Sequence, residues 1–417
     1  MHIRKRSFFE ILLPVTTMFF VSMGTSFINT MNGVDLRWAC LFCLFLYLFF
    51  KRKFLIYLNW WHIFLLLTYL IWCISTTLWS EVPLLSFIKS TVFAIDIIIF
   101  ISAGGFWVIK MNPRDYFNWL SLILLVGLVS GLLGSSVDQT ESLNLYQGMT
   151  SNANTFGYFF AIAAPFIFWN LCKIKKTKLI VIFWVIILIL DIHFLMATYA
   201  RSCIVIFVCV LSFFIMSFPV SKKILIASGI FFFIAIITVM IPGNYLEAEI
   251  AQHINKGELG SNQLSLNRIL SSRDKIWQKS YQHALKGGVF GGGFAVTIGD
   301  THFFTSEISG AGYGREKGNS QFAIMEETGI IGLLFYFALL ICFFSYTLPY
   351  YFRFKGEKKI IMGLILGSMT GLLLESISEA WWDSAAGPEV ICFWTFAGMA
   401  YGMVYLEKRR IRLGDSS

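Results

Sequence analysis

Two adjacent glutamates stand where a polar stretch of the chain gives way to an apolar one. Glu326 and Glu327 belong to the segment EKGNSQFAIMEETGIIGLLFYF (316–337), whose second half is apolar enough to enter a membrane. If a helix begins near Asn319, Glu326 lies two turns after Asn319, and Glu327 lies two turns after Ser320. Two interpretations are open: the carboxylates stabilise the early turns of the helix through its dipole, or Glu327 faces a cavity and takes part in chemistry there.

A second group of candidate residues is cationic. Arg201 stands alone in the short turn TYARSC (198–203) between two apolar runs. Its guanidinium either snorkels to lipid headgroups or forms a fixed, bidentate site for a phosphate. The long segment 242–328 adds eight further cations, which suggest an anionic ligand: Lys256, Arg268, Arg273, Lys275, Lys279, Lys286, Arg315 and Lys317.

The composition of the chain predicts the membrane-spanning helices that position these groups. The chain has 417 residues, of which 57% are hydrophobic and only 14% charged, whereas soluble domains carry about 25% charged residues. We therefore predict an all-α integral membrane protein with about twelve spans of about 20 apolar residues each. The predicted spans lie near 8–28, 36–50, 61–79, 84–108, 116–134, 155–172, 179–197, 201–218, 223–241, 329–349, 360–378 and 388–405.

The basic residues predict the orientation of these spans. Lysine and arginine concentrate at both termini and in every second loop, so both termini are expected to be cytoplasmic. The net charge of +9 then reflects topology, and no nucleic-acid partner is expected. The predicted organisation is an N-terminal membrane bundle (1–241) with about nine spans, an extracytoplasmic loop (242–328), and about three C-terminal spans with a basic tail (329–417).

The extracytoplasmic loop has recognisable parts. The stretch SLNRILSSRDKIWQKSYQHALKG (265–287) predicts an amphipathic helix, capped by Ser271 or Ser272, that lies on the membrane surface. It ends in GGVFGGGFAV (287–296), where so many glycines predict a flexible or closely approached turn.

Five short strings resemble motifs of bacterial polysaccharide polymerases and ligases. They are LWSEVPLLSFIKS (78–90), MTSNANTFGYFFAIAAPF (149–166), TYARSCIVIF (198–207), RDKIWQKSYQHALKGGVFGGGF (273–294) and NSQFAIMEETGIIGLL (319–334). Together they resemble the O-antigen ligase and Wzy-type polymerase superfamily over residues 75–400, in order and at corresponding positions of the topology.

The resemblance implies an integral-membrane glycosyltransferase of GT-C-like architecture in the bacterial plasma membrane. Its site would face the exterior and would use neither a metal nor another cofactor. The donor would be an undecaprenyl-pyrophosphate-linked glycan, whose reducing-end sugar passes to a hydroxyl of a glycan or lipid acceptor. The product would be O-antigen, capsule or exopolysaccharide, and a flippase and a chain-length regulator would be partners.

The resemblance also implies roles for individual residues. Arg201 and Arg273 match the family's arginines and would stabilise the pyrophosphate leaving group. Glu327 matches its Glu-x-Gly and would orient an arginine or the acceptor hydroxyl. The family's histidine before the Asn-Ser pair is replaced by Gly318, so His302 is the remaining candidate for a base. The expected substrate-binding residues are Arg315, Lys317, Asn154, Asn319 and Arg268.

Three functions stay open at this point. A polymerase extends lipid-linked repeat units, and the departure at Gly318 favours it over the second, an O-antigen ligase that transfers the glycan to lipid A-core. The third is a lipid-linked oligosaccharide flippase or another transporter, which the lack of an internal repeat disfavours.

Overall fold

The computed structural model describes residues 8–25, 32–111, 115–134, 136–138, 145–150, 152–173, 178–219, 221, 266–298 and 317–413. Twelve α-helices occupy these ranges. They are α1 (Phe9–Val21), α2 (Gly33–Lys51), α3 (Trp60–Ser75), α4 (Pro83–Lys110), α5 (Leu120–Leu133), α6 (Ala153–Lys173), α7 (Lys178–Ala197), α8 (Arg201–Met216), α9 (Leu266–Gly287), α10 (Ser320–Arg353), α11 (Gly356–Glu375) and α12 (Pro388–Arg412).

Seven helices in the described part of the chain are long and apolar enough to cross a membrane. They are Gly33–Lys51, Trp60–Trp79, Pro83–Lys110, Ala153–Cys172, Leu179–Ala197, Ser320–Arg353 and Pro388–Arg412. Every predicted span except 223–241, which lies outside the described residues, overlaps one of the twelve helices. The architecture is consistent with the expected all-α membrane protein, while the number of spans, the orientation and the GT-C-like arrangement stay predictions.

Small residues bring two helix pairs into close contact at the centre of the bundle. Between α4 and α12, a Cβ built at Gly104 would overlap the carbonyl oxygen of Thr395, and one at Gly398 would overlap that of Ile101. Glycines spaced four residues apart along α11, at 363, 367 and 371, face the backbone and side chains of α8. Close backbone approach of this kind is typical of helices packed within a membrane, where small residues replace large apolar ones at the contact.

The segment between α11 and α12, which we call the tryptophan loop (376–387), is not helical, and its middle (Trp381, Trp382 and Asp383) is buried. Trp382 is fully buried and donates from Nε1 to the hydroxyl of Tyr69 (3.0 Å). The N–H of Ala386 donates to Asp96 Oδ2 in the middle of α4 (3.0 Å). Irregular backbone is tolerated within a membrane bundle only where protein groups satisfy it, as these do.

The predicted amphipathic helix is confirmed as α9. The capping prediction is wrong, because the helix already begins at Leu266 and Ser271 and Ser272 lie inside it. Of the apolar residues along it, Ala284 is buried, whereas Ile276, Tyr281 and Leu285 are exposed. Between the predicted spans 116–134 and 155–172, the structure adds a short antiparallel pair of strands, β1 (Ser136–Asp138) and β2 (Leu145–Gly148).

Candidate functional site

Helix α10 is broken at Gly329, close to the start of the predicted span. Gly329 has φ 72° and ψ −174°, a backbone conformation that side-chain-bearing residues rarely adopt. A Cβ built there would also overlap the carbonyl oxygen of Val289. The break therefore requires glycine, and it divides α10 into a first half (320–328) and a second half (330–353).

The glycine turn (287–293) satisfies the backbone groups that the break exposes. The N–H of Gly292 donates to the carbonyl oxygen of Glu326 (2.8 Å), and the N–H of Gly293 donates to that of Glu327 (3.0 Å). In return, the N–H of Ile330 donates to the carbonyl oxygen of Gly288 (3.1 Å). The glycines expected from the sequence to allow close approach thus dock backbone to backbone against the broken helix.

Three charged side chains meet beneath this turn and form what we call the carboxylate–lysine cluster (Lys317, Glu326 and Glu327). Lys317 Nζ lies 2.8 Å from Glu326 Oε2 and 2.8 Å from Glu327 Oε1. The three side chains are only 6%, 1% and 0% exposed. Because buried charges are costly unless they are paired and hydrogen-bonded, this ammonium is essential to the two carboxylates.

The remaining carboxylate oxygens bind the segment that follows the glycine turn. Glu327 Oε2 accepts the N–H of Ala295 (2.7 Å), and Glu326 Oε1 accepts the N–H of Ile298 (3.0 Å). Lys317 and the backbone N–H of Ala295 are therefore among the partners of Glu327. His283, on α9, approaches the cluster with Nδ1 3.4 Å from Glu326 Oε1.

Asn319 and Ser320 fasten the start of α10 to the tryptophan loop. Asn319 is the N-cap of α10, and its side chain accepts the N–H of Phe322 (2.9 Å) while donating to the carbonyl oxygen of Ile377 (2.8 Å). The fully buried hydroxyl of Ser320 donates to the carbonyl oxygen of Glu379 (3.0 Å). It also accepts the N–H groups of Trp381 (3.0 Å) and Trp382 (3.2 Å).

Asn154 connects the tryptophan loop to helices α6 and α8. Its Nδ2 donates to Glu379 Oε1 (3.4 Å), and its carbonyl oxygen lies 3.7 Å from the thiol sulfur of Cys203. One turn further along α6, the hydroxyl of Tyr158 donates to Glu375. Arg201 is the first residue of α8, half-buried and two residues before Cys203, so it belongs to the same end of the bundle.

The structure brings several of the predicted site residues together. Lys317 and Glu327 touch, Asn319 follows Lys317 by two residues, and Asn154 is linked to them through the tryptophan loop. Arg268 and Arg273 lie on α9, which binds the start of α10 through Trp277 Nε1 and the carbonyl oxygen of Gly318 (2.9 Å). The side chains of both arginines fall outside the description, as do His302 and Arg315 entirely.

The sequence did not point to two participants, His283 and Ser320, or to the contact between Ser320 and the tryptophan loop. His283 shares a helix face with Ser280, Ala284 and Gly287, which the structure buries against α10. That helical spacing is a signal, but it becomes readable only once the packed face of α9 is known. Ser320 and the loop carry no spacing that predicts their contact.

Neither a metal-binding group nor a similar known protein identifies this site. Within the described residues, no group of three or more His, Cys, Asp or Glu side chains has the arrangement to hold a metal ion. No model of a known protein family matches the chain, and no curated protein matches it either.

Proposed function

We propose that the chain is an integral-membrane glycosyltransferase that polymerises undecaprenyl-pyrophosphate-linked repeat units into surface polysaccharide. One observation carries the proposal. Contacts join the five short strings that resemble polymerase motifs, although these are spread over residues 78–334. Trp79 Nε1 donates to the Gly291 carbonyl oxygen (3.0 Å), the N–H of Gly293 donates to the Glu327 carbonyl oxygen (3.0 Å), and the carbonyl oxygen of Asn154 lies 3.7 Å from the sulfur of Cys203. The tryptophan loop links these two groups, because Glu379 accepts from both Asn154 (3.4 Å) and Ser320 (3.0 Å).

Transfer of a glycan from this donor requires stabilisation of a pyrophosphate leaving group. The acceptor oxygen attacks the anomeric carbon, the bond from that carbon to the phosphate oxygen breaks, and the electron pair leaves with undecaprenyl pyrophosphate. Fixed cations near the leaving oxygens lower this barrier. Lys317 is already neutralised by two carboxylates, so in this proposal it positions the site. In this proposal, Arg201 stabilises the pyrophosphate leaving group. Arg273, Arg268 and Arg315 are further candidates for the same role.

The closed surroundings of Gly318 support polymerisation over ligation within the proposal. A Cβ at this position would lie 2.6 Å from Ile276 Cγ2 and 3.1 Å from Trp277 Cδ1. The family's histidine, expected most consistently in ligases, would have to displace the side chain of Ile276 here. The glycine at position 318 therefore allows α9 to pack closely against the start of α10.

A transporter is the alternative that the broken helix favours, because discontinuous helices often bind substrate at the exposed ends of their halves. In this chain the glycine turn already binds those backbone groups through Gly292, Gly293 and Ile330. The break is thus satisfied by the protein itself, which favours an enzyme with a rigid site over a carrier.

The test is a gel profile of surface glycan from cells in which this chain is deleted. A polymerase predicts loss of the ladder while a single repeat unit stays attached to its usual carrier. Loss of all attached glycan, with full-length polymer accumulating on undecaprenyl pyrophosphate, would instead indicate a ligase. An unchanged profile would contradict both.

A further inference from the structure

The imidazole of His283 has one buried edge and a part that is open. Its Nδ1 lies 3.4 Å from Glu326 Oε1 and is itself buried, whereas the side chain as a whole is 18% exposed. The exposed surface of the side chain therefore belongs to atoms other than Nδ1. A distance of 3.4 Å is long for a hydrogen bond, but contacts of catalytic groups are often long without substrate and shorten when it binds.

The carboxylate of Glu326 is fixed independently of His283. Lys317 holds Oε2 at 2.8 Å, and the N–H of Ile298 holds Oε1 at 3.0 Å. A carboxylate fixed in this way selects the tautomer of a neighbouring imidazole, because it favours a proton on the nitrogen that faces it. With the proton on Nδ1, the lone pair on Nε2 is free to accept another.

Glu326 also faces the ring that would carry positive charge during the reaction. A carboxylate beside an imidazole stabilises the imidazolium that forms while a histidine acts as a base.

Glu327, the carboxylate that the resemblance placed in the site, is less able to accept a proton from a substrate. Glu327 is fully buried, with one oxygen on Lys317 and the other on the N–H of Ala295. A basic side chain at position 318 would have to displace the side chain of Ile276.

We propose that His283 is the base that activates the acceptor hydroxyl, with Glu326 as its positioning residue. This inference rests on the proposed glycosyl transfer. The acceptor O–H proton passes to Nε2 as the oxygen bonds to the anomeric carbon, and the electron pair of the broken carbon–oxygen bond leaves with undecaprenyl pyrophosphate. The imidazolium, balanced by Glu326, then releases the proton to water.

The test uses the full-length protein in lipid nanodiscs. Its probe is the lipid-linked glycan extracted from cells that lack this chain. Three variants are compared with wild type: His283→Ala, His283→Gln, which keeps a donor toward Glu326, and His193→Ala, an exposed histidine at the end of α7 as a matched control. Each is assayed for glycan transfer with and without added imidazole.

Loss of a general base predicts a drop in kcat of about 10²–10⁴-fold in both His283 variants, with little change in KM. Added imidazole should restore part of the rate of His283→Ala in proportion to its concentration, while His193→Ala behaves as wild type. The proposed role of His283 as the base would be refuted if His283→Gln kept full activity. It would also be refuted if the His283→Ala variant were slow and added imidazole did not accelerate it. If the wild-type protein transfers no glycan, the proposed function itself is contradicted, and with it the role of His283 as the base.

Discussion

Replacing Lys317 by methionine tests whether the buried ammonium holds the site together. Methionine has nearly the same length but no charge, so the change leaves Glu326 and Glu327 buried beside each other without the cation that lies 2.8 Å from both. Removing one partner of a buried ion pair typically costs about 3–5 kcal/mol, because the remaining charge keeps its desolvation penalty. With two carboxylates left, we expect Lys317→Met to fall at the upper end of that range.

The chain offers a matched control at the same distance. Lys358 Nζ also lies 2.8 Å from a carboxylate, that of Glu407, but the lysine side chain is 46% exposed. Exposed pairs contribute about 0–1 kcal/mol. Lys358→Met should therefore cost far less than Lys317→Met, although both ammonium groups lie 2.8 Å from a carboxylate oxygen.

The measurement is a titration of the purified protein with SDS in mixed micelles, followed by tryptophan fluorescence. It returns the difference in unfolding free energy between each variant and wild type. A triple variant, Lys317→Met with Glu326→Gln and Glu327→Gln, carries no buried charge in the cluster and should recover much of the loss. Equal costs for Lys317→Met and Lys358→Met, or no recovery in the triple variant, would refute the reasoning.

Three further outcomes follow from the same geometry. Gly329→Ala should lower the thermal midpoint much more than Gly356→Ala, since both glycines have positive φ but only Gly329 is packed against backbone; similar shifts would argue against a docked glycine turn. Ser320→Ala should lower the free energy of unfolding by about 1–3 kcal/mol, because it removes the acceptor for the buried backbone N–H groups of Trp381 and Trp382. An unchanged unfolding midpoint would contradict this. Arg201→Ala should abolish extension of the surface glycan while the protein still inserts in the membrane, whereas Lys355→Ala, an exposed cation on the predicted cytoplasmic side, should not; a normal ladder in Arg201→Ala would remove the leaving-group role.

Apolar runs and helix signals predicted much of the fold correctly. The helical spacing of Ile276, Tyr281 and Leu285 predicted a helix over 265–287, close to the observed range of α9. The capping residue of α9 was predicted wrongly, because serines such as Ser271 cap helices but also occur inside them.

Predictions of the site were less complete, because its contacts join distant segments. The glycines at 287–293 indicated close approach, yet nothing in their spacing names the broken helix as their partner. Lys317 and Glu327 are ten residues apart, which is not a helical pairing distance, and they meet only because the chain turns into α10 between them. Burial of the tryptophan loop likewise depends on Ser320 and Asp96, which lie far from it in sequence.

The most direct test of the proposed function is release of undecaprenyl pyrophosphate by the purified chain. Wild-type protein in nanodiscs is given the lipid-linked glycan from cells lacking this chain, with a chelator present, and both the released lipid and the glycan length are measured by mass spectrometry. The account predicts one undecaprenyl pyrophosphate released for each repeat unit added. Intact donor with no new glycosidic bond, or movement of the donor across a sealed liposome without bond formation, would contradict it.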